Sequence, residues 1–353
     1  MQIKLENYSI SINNKFSEHP EFLQWLKQNN YSSIFVLVDE NTKQFCYPVI
    51  ENSLPSHFVL QINSGEKEKN IETCKYLWEE LTKNKAERKS ILINLGGGVI
   101  GDMGGFVAST YKRGIDFVNI PTTLLSQVDA SIGGKLGIDL HGIKNLIGLF
   151  GDPKMVVISS EFLSTLPKEQ LRSGFAEIMK HGLIRDKNYW EKIKETDLNS
   201  NSDWLELIAT SVNIKKSVVE NDPLEGGLRK ILNFGHTIGH AIETWSLQND
   251  KSPLLHGEAI AIGMICEAWL SNKLTGLTDT EFQDISNTIF SFYEKYDLDK
   301  IPNAVLLEHM LLDKKNNNNK ILFSLLKEIG TCTYDIEVSE TLIFDSINYY
   351  AGL

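Results

Sequence analysis

Short runs of aliphatic and β-branched residues alternate with segments of helical periodicity along the first half of the chain. Four of these runs are expected to be buried strands: residues 33–38 (SIFVLV), 91–95 (ILINL), 117–120 (FVNI) and 155–158 (MVVI). Strands that are separated by helix-length segments are typical of βαβ units, whose strands form a mostly parallel sheet. The pattern therefore predicts an α/β domain.

The pattern changes near residue 160. From about Pro167 onward the apolar positions recur at helical spacing, and the strand candidate at residues 331–334 (TCTY) is weak. Because 353 residues exceed what one compact core usually holds, we expect two domains. The predicted division places an α/β domain at residues 1–160 and an all-α domain at residues 161–353.

Composition and charge narrow the range of partners. The net charge of −11 disfavours nucleic acid, and charge interrupts every apolar stretch before the roughly 18 residues that a membrane span needs. The first ten residues (MQIKLENYSI) lack the apolar centre of a signal peptide. The cysteines form no C-x-x-C pair, which is typical of buried thiols in a reducing cytoplasm: they are Cys46, Cys74, Cys266 and Cys332. We expect a cytoplasmic protein that binds neither nucleic acid nor membrane.

A glycine-rich turn directly follows the second predicted strand. Gly96, Gly98 and Gly101 satisfy the pattern G-x-G-x-x-G, in which backbone N–H groups approach a pyrophosphate closely. The acid that usually follows such a turn by about 20 residues, to bind the ribose, is missing. Candidate acids lie upstream instead, at Asp39 and Glu66. The turn thus indicates a nucleotide site outside the ordinary Rossmann pattern.

Histidines next to glycines indicate a metal site in the second half. His236 and His240 lie four residues apart on a predicted helix (NFGHTIGHAIETW), so they share one face. His256 begins a further apolar helical segment, and Glu177 lies within a third. Histidine and carboxylate ligands from separate helices suit zinc, but the spacing leaves His240 as good a ligand as His236. We expect no role for the histidines in polar or turn contexts, which are His19, His57 and His309.

Basic residues lie inside the same glycine-rich and helical motifs. They are Arg113, Lys135, Lys144, Lys180, Lys215 and Arg229. In a chain of net charge −11, this placement predicts a small anionic substrate that is held by charge-assisted hydrogen bonds. Lys135 and Lys144 give the strongest support to this prediction, because they bracket glycine-rich, apolar sequence instead of lying on a charged helix face.

In their order and spacing, these segments resemble the dehydroquinate synthase family. The diagnostic stretch is residues 96–139, GGGVIGDMGGFVASTYKRGIDFVNIPTTLLSQVDASIGGKLGID. It is followed by KNLIG (144–148), FAEIMKHG (175–182), LRKILNFGHTIGHAIE (228–243) and HGEAIAIGM (256–264). The likeness extends from about Asp39 to the DKK at 313–315, which is most of the chain.

The resemblance implies a fold, a metal and a cofactor. The fold is a Rossmann-like, nucleotide-binding α/β domain with a parallel sheet, followed by an all-α domain, with the active site in the cleft between them. The metal is zinc, with cobalt as the alternative, and its implied ligands are Glu177, His236 and His256; His240 is left for the substrate phosphate and for proton transfer. The cofactor is NAD. Its implied contacts are Asp39, Asn41, Ser64, Gly65, Glu66, Lys67, Glu68, Lys69, Gly98, Val99, Ile100, Gly101, Asp102, Thr122, Thr123, Lys135, Lys144, Phe162, Leu163, Ser164 and Thr165.

The resemblance also implies the reaction. The substrate is an anionic sugar-acid phosphate, 3-deoxy-D-arabino-heptulosonate 7-phosphate, and the products are 3-dehydroquinate and phosphate. The implied steps are transient oxidation by NAD, elimination of phosphate, reduction, ring opening and an intramolecular aldol. Arg113 is implied to act across the interface of a homodimer. The other implied substrate contacts are Asp129, Lys135, Asn145, Lys180, Lys215, Arg229, Asn233, His240 and one lysine of the pair Lys314 and Lys315.

Three positions depart from the family pattern: Ser64, Leu136 and Ile143 stand where aspartate, threonine and glycine are common. We expect none of them to abolish activity. The alternatives are other sugar phosphate cyclases, of the aminodehydroquinate or 2-epi-5-epi-valiolone synthase type, a metal-dependent alcohol dehydrogenase of related fold, and a non-catalytic NAD-binding scaffold. Lys215, Arg229 and Asn233 favour a carboxylate-bearing substrate.

Overall fold

The computed structural model describes residues 1–141, 143–198, 203–312 and 320–353. The chain forms two compact units. The first comprises Met1–Pro167 and Asp203–Lys216, and the second comprises Lys168–Ser202 and Ser217–Leu353. Within the described ranges, none of the helices has the length and apolar character that crossing a membrane requires.

A seven-stranded sheet forms the centre of the first unit. Its strands are β1 (Gln2–Lys4), β2 (Ser9–Asn13), β3 (Ile34–Asp39), β4 (Phe58–Ile62), β5 (Ile91–Gly96), β6 (Asp116–Pro121) and, after a separate hairpin, β9 (Met155–Ser159). Their order is β1-β2-β9-β6-β5-β3-β4, and every pairing except β1 with β2 is parallel. The four predicted strands are confirmed as β3, β5, β6 and β9. The short edge strands β1 and β4 and the strand β2 were not predicted.

Both faces of this sheet are covered. Phe35 and Leu37 of β3 belong to one apolar core, and Val36 and Val38 belong to the core on the opposite face. Side chains alternate between the faces of a strand, so a strand that is covered on both sides reads as a continuous apolar run. The helices of this unit are α1 (Pro20–Gln28), α2 (Glu40–Phe45), α3 (Tyr47–Ile50), α4 (Ile71–Lys83) and α5 (Gly98–Thr110).

The glycine-rich segment around Lys135 forms an antiparallel hairpin. Its strands are β7 (Lys135–Leu140) and β8 (Ile143–Phe150). Leu136 and Ile138 of β7 join the core beside α5, whereas most of β8 is exposed. The hairpin was not predicted, because its glycines and its exposed second strand hide the apolar alternation.

The described residues of the second unit are helical apart from one hairpin. Its helices are α6 (Lys168–Arg185), α7 (Lys187–Lys194), α9 (His236–Asn249), α10 (His256–Leu274), α11 (Asp279–Phe292), α12 (Asn303–Leu312) and α13 (Glu340–Gly352). α8 (Trp204–Asn221) begins among residues of the first unit and ends among those of the second. The weak strand candidate at 331–334 is confirmed within β11 (Thr331–Glu337), which pairs with β10 (Leu322–Glu328). β10 amends the all-α prediction: its apolar run (LFSLL) fits a buried strand or a helix equally well.

Candidate nucleotide site and metal centre

The glycine-rich turn directly follows a strand of the first unit, as predicted, and leads into a helix. β5 ends at Gly96, Gly97 is the N-cap residue, and α5 begins at Gly98. The N–H groups of a helix's first turn lack partners within the helix and carry its positive dipole end, so they suit a phosphate. No heavy atom lies within 4 Å of the position that a Cβ of Gly101 would occupy. A small pocket opens here, lined by Asn94, Gly96, Gly97, Gly98, Gly101, Asp102, Asn119, Pro121, Ser126, Ala130 and Ser131.

A buried ion pair borders this pocket. Nζ of Lys69 lies 2.7 Å from Oδ2 of Asp102, and Lys69 is 4% exposed. Burial by itself would lower the pKa of Lys69, but the Asp102 carboxylate raises it above its ordinary value. Burial raises the pKa of the Asp102 carboxyl, and Lys69 opposes that shift. The two predicted NAD contacts hold each other in place through this hydrogen bond.

The remaining predicted NAD contacts occupy strand ends and turns of the first unit. Asp39 ends β3 and caps α2 by accepting a hydrogen bond from the N–H of Thr42 at 2.7 Å. Asn41 is exposed. The residues of the SGEKEK segment (64–69) are exposed or half-buried, except for Lys69. Ser64, at one of the departures from the family pattern, donates to Glu40 at 2.8 Å.

Other predicted NAD contacts are less accessible. Ile100 and Phe162 are 1% and 2% exposed and pack in the two cores of the sheet. Thr122, 3% exposed, follows β6, and its N–H donates to the Gly96 carbonyl at 3.0 Å. Thr123 lies beside it, with its Oγ1 2.8 Å from Oγ of Ser126. Phe162 to Thr165 lie in the 3₁₀-helix Ser160–Thr165.

Several predicted substrate contacts also lie in the first unit. Asp129 belongs to a π-helix, Ser126–Ala130, a rare geometry that is frequent at functional sites. Its Oδ1 lies 2.7 Å from Nζ of Lys215, which is 5% exposed. The structure thus brings Asp129 and Lys215 together as an ion pair. Lys135, Lys144 and Asn145 lie on the hairpin of β7 and β8 and are exposed, and Arg113 lies in the turn after α5 with a φ of 69°.

Three helices of the second unit bring the predicted metal ligands together. Glu177 of α6 is fully buried, and its Oε1 lies 3.5 Å from Nε2 of His236, the first residue of α9. The same oxygen lies 3.6 Å from Nε2 of His256, the first residue of α10. Two imidazole nitrogens and a carboxylate oxygen that face one point form the donor set of catalytic zinc sites. The residues present therefore fit a divalent metal.

The far side of each imidazole is occupied by an acceptor. Nδ1 of His236 lies 3.1 Å from the carbonyl oxygen of Phe234, and Nδ1 of His256 lies 3.2 Å from Oε2 of Glu243. A neutral imidazole that donates from Nδ1 keeps the lone pair of Nε2 for a metal. Burial by itself would lower the pKa of His256, but the carboxylates of Glu243 and Glu177 raise it to about 9. The surroundings therefore stabilise positive charge at this point.

Close backbone contacts set the spacing of these helices. A Cβ on Gly257 would lie 1.9 Å from the carbonyl oxygen of Ser173 in α6, and a Cβ on Gly263 would lie 2.0 Å from that of Gly235. Only glycine permits such approaches. Gly257 lies next to His256, and Gly263 contacts Gly235, which lies next to His236. These close approaches bring the helices near enough for the side chains to meet.

His240 lies in the same cluster. Its ring centroid is 5.0 Å from that of His236 and 5.7 Å from that of His256. The candidate ligand nitrogens of these three histidines lie within 4.8 Å of one another. Proximity alone therefore leaves His240 possible as a ligand, as the spacing in the sequence did.

The predicted anion-binding residues of the second unit are buried or half-buried. Lys180, one turn after Glu177 on α6, is 1% exposed and donates to Oε2 of Glu177. Arg229, 2% exposed, donates to the Pro223 carbonyl at 2.6 Å. Asn233 donates to Oε1 of Glu225 at 2.8 Å. Lys314 and Lys315 lie outside the described residues.

Carboxylates that the sequence analysis did not single out support these groups. Burial would raise the pKa of Asp222, but its hydrogen bonds from the N–H groups of Gly227, Arg229 and Gly226 lower it, so its charge fixes this turn. Glu243 contacts His256. One signal was available for Glu243: it follows His240 by three residues and so shares its helix face.

The chain is similar to known proteins along most of its length. The family model described as 3-dehydroquinate synthase N-terminal matches residues 59–173, and that described as 3-dehydroquinate synthase C-terminal matches residues 174–316. The curated 3-dehydroquinate synthase of Parabacteroides distasonis is 40% identical over 338 residues, which covers 95% of each chain.

Among solved structures, a 2-deoxy-scyllo-inosose synthase complexed with carbaglucose-6-phosphate, NAD⁺ and Co²⁺ has a TM-score of 0.84 at 24% identity and covers 99% of each chain. A 2-epi-5-epi-valiolone synthase from Streptomyces hygroscopicus subsp. jinggangensis, with NAD⁺ and Zn²⁺ bound, has a TM-score of 0.81 at 22% identity, covering 99% of this chain and 98% of that one. At these identities the two solved structures establish the fold alone.

Proposed function

The chain belongs to the 3-dehydroquinate synthase family, and we propose that it converts 3-deoxy-D-arabino-heptulosonate 7-phosphate to 3-dehydroquinate and phosphate. The observation that carries this proposal is the convergence of His236 and His256 on Oε1 of Glu177, with Lys180 on the other oxygen. A divalent metal beside a buried cation suits a substrate that carries both a hydroxyl to be activated and negative charge.

The proposed metal ligands are Glu177, His236 and His256. Three protein ligands leave a coordination position for substrate. When bound, zinc, or alternatively cobalt, supplies a Lewis acid that makes a substrate hydroxyl more acidic. His240 belongs in this proposal to the substrate, as the resemblance to the family implies.

The proposed NAD site is the glycine-rich turn with Asp39, Thr122, Thr123 and the Lys69–Asp102 ion pair. The first N–H groups of α5 bind the pyrophosphate, and the open space beside Gly101 admits it. When bound, NAD accepts a hydride from the substrate and returns it, so it is regenerated in each turnover.

The chain's own charged and polar side chains bind and orient the substrate. We assign its carboxylate and phosphate to Lys180, Arg229, Asn233 and His240 in the second unit and to the residues predicted in the first. Buried cations form strong charge-assisted hydrogen bonds, because little water competes with the anion. A lysine or arginine held in a fixed position therefore selects one conformer of a flexible sugar acid.

Proton transfer at the phosphate is assigned to His240. An imidazole can donate from one nitrogen and accept at the other, which suits a group that leaves as phosphate. The substrate phosphate itself serves as the base for the neighbouring C–H. This division of roles requires no dedicated pair of protein acid and base.

Lys215, Arg229 and Asn233 favour the carboxylate-bearing substrate over sedoheptulose 7-phosphate and glucose 6-phosphate. Those sugars lack the carboxylate, so a site for them needs fewer cationic and amide partners. A metal-dependent alcohol dehydrogenase would release NADH, and its reaction does not require these cationic and amide side chains. A scaffold would need none of these groups.

We further propose a cytoplasmic homodimer. The free cysteines support a reducing compartment, since three of them are buried and all four are thiols. The exposed apolar side chains of β8, Ile143, Ile147 and Phe150, support an interface there. Sedimentation equilibrium measures the assembly, and a monomer at micromolar concentration contradicts the dimer.

One assay tests the activity. The zinc-loaded protein is incubated with 3-deoxy-D-arabino-heptulosonate 7-phosphate and NAD at a concentration far below that of the substrate, and phosphate and dehydroquinate are measured. Both products should form in equal amounts and exceed the NAD present. Absence of phosphate release contradicts the proposal, and so does NADH accumulating in step with product. Sedoheptulose 7-phosphate serves as the matched control and should give no cyclic product.

A further inference from the structure

A buried carboxylate lies behind one of the proposed metal ligands. Glu243 is on α9, seven residues after His236 and three after His240, so the three side chains share one face of the helix. It is 5% exposed, and its Oε2 lies 3.2 Å from Nδ1 of His256 at the start of α10. The carboxylate is thus separated from the metal position by the width of one imidazole ring.

We infer that Glu243 is a positioning residue: it fixes the tautomer and the ring orientation of His256, so that Nε2 faces the metal. The inference rests on the proposed metal site. Nδ1–H of His256 donates to Glu243, which leaves the lone pair on Nε2, the atom that lies 3.6 Å from Oε1 of Glu177. Carboxylate, histidine and metal in a row also make the imidazole a stronger ligand, because the negative charge increases the electron density on the ring.

The second histidine is held differently. Nδ1 of His236 lies 3.1 Å from the carbonyl oxygen of Phe234, which is a neutral backbone acceptor. The orientation of His236 also depends on the start of α9, where Glu267 of α10 accepts hydrogen bonds from the N–H groups of Gly235 and Ile238 at 2.6 and 3.1 Å. A change at residue 243 should therefore act on His256 and leave the orientation of His236 intact.

The burial of Glu243 fits this role. A carboxylate that is removed from water destabilises the fold unless hydrogen bonds and opposite charge compensate it. A leucine of similar volume would pack between α9 and α10 without that cost. A metal ion bound to His256 would place positive charge on the imidazole ring, and this charge would compensate the buried carboxylate of Glu243.

Two substitutions separate the charge from the hydrogen bond. Glu243→Gln keeps the size and a carbonyl acceptor for Nδ1–H but removes the charge, whereas Glu243→Leu removes both. Zinc affinity is measured by competition with a chromophoric chelator, and the visible absorption of the cobalt-substituted protein reports the geometry of the ligands. Glu243→Leu should weaken zinc binding about 10- to 100-fold. Glu243→Gln should weaken it less and shift the cobalt absorption bands.

Reference variants and controls make each outcome decisive. His256→Ala marks complete loss of one ligand, and Glu281→Gln removes a partly buried acid of the same unit that caps α11 and does not contact the cluster. Circular dichroism of the metal-free proteins checks folding, and Glu243→Gln keeps the test valid if the leucine variant misfolds. Unchanged zinc affinity and unchanged cobalt bands in the folded variants overturn the role of Glu243 alone. A wild-type protein that fails to bind zinc overturns the proposed metal site and this inference together.

Discussion

Oε1 of Glu177 lies 3.5 Å from Nε2 of His236, and these two atoms come from helices that are far apart in the sequence. The other oxygen of the same carboxylate accepts a hydrogen bond from Lys180. One buried carboxylate therefore serves the proposed metal on one side and a cation of the proposed anion site on the other.

Replacing the histidines one at a time should distinguish a residue that binds the metal from one that only lies near it. His256→Ala should lose both bound zinc and turnover, because it removes a ligand. His240→Ala should keep zinc and lose turnover by about 10²- to 10⁴-fold, the usual contribution of a proton-transferring group. Metal analysis after dialysis and phosphate release measure the two effects. Equal loss of zinc in both variants would make His240 a ligand.

Gly263→Ala should destabilise the second unit. Its Cβ would lie 2.0 Å from the carbonyl oxygen of Gly235, so α9 and α10 must move apart. Overpacking of this kind costs about 1–3 kcal/mol, and the shift should also weaken zinc binding because His236 follows Gly235. Urea unfolding measures the loss. Gly352→Ala, where no heavy atom lies within 4 Å, is the control and should stay within about 0.5 kcal/mol of wild type.

Lys69→Met should lower stability and NAD affinity together. It leaves the Asp102 carboxylate without the ammonium group 2.7 Å away, and breaking a buried ion pair costs about 3–5 kcal/mol. The double variant Lys69→Met, Asp102→Leu should recover most of the stability but not the affinity for NAD. Chemical unfolding and titration with NAD measure the two quantities. Recovery of NAD binding in the double variant would exclude the pair from the cofactor site.

The stability of the protein should fall as the pH drops below 6.5, in part through His19. This ring is fully buried, with Nδ1 2.7 Å from Ser11 and Nε2 3.1 Å from Ser159, and burial lowers its pKa below 6.5. Below pH 6.5 the imidazole of His19 is protonated in the unfolded chain but stays neutral in the folded chain. The contribution of His19 to the free energy of unfolding is therefore fully present above pH 6.5 and is lost as the pH falls through the pKa of the folded state.

Unfolding free energies at pH 5 and pH 7 measure this effect in the zinc-loaded protein. His19→Gln should be less stable at pH 7, because it loses buried hydrogen bonds, and should show a smaller decrease between the two values. The same decrease in both proteins would mean that other groups cause the pH dependence.

The sequence predicted the elements whose local pattern is strong. β3 and β5 lie in the middle of the sheet and are apolar throughout, and His256 was correctly placed at the start of a helix. β4 and β8 were missed, because an edge strand or an exposed strand carries polar residues that interrupt the apolar pattern. β10 was missed because a short apolar run does not distinguish a strand from a helix.

Less of the candidate site than of the fold could be predicted from the sequence. The spacing of His236 and His240 shows that they share a helix face, but the approach of α6 to that face depends on contacts between distant segments. Gly257 and Gly263 make those contacts possible, and their effect is visible only when the helices are packed. For the same reason the contact of Glu243 with His256 could not be predicted, since the two residues lie on different helices.

The backbone contacts at Gly257 and Gly263 also bear on the order in which the protein matures. No change of rotamer can relax a contact between main-chain atoms, so the positions of His236 and His256 are set once the helices have packed. Many small zinc domains need the ion in order to fold. Here we expect the helical core to form the cage first and the ion to enter a protein that is already folded. Removing the ion with a chelator should then inactivate the protein without unfolding it.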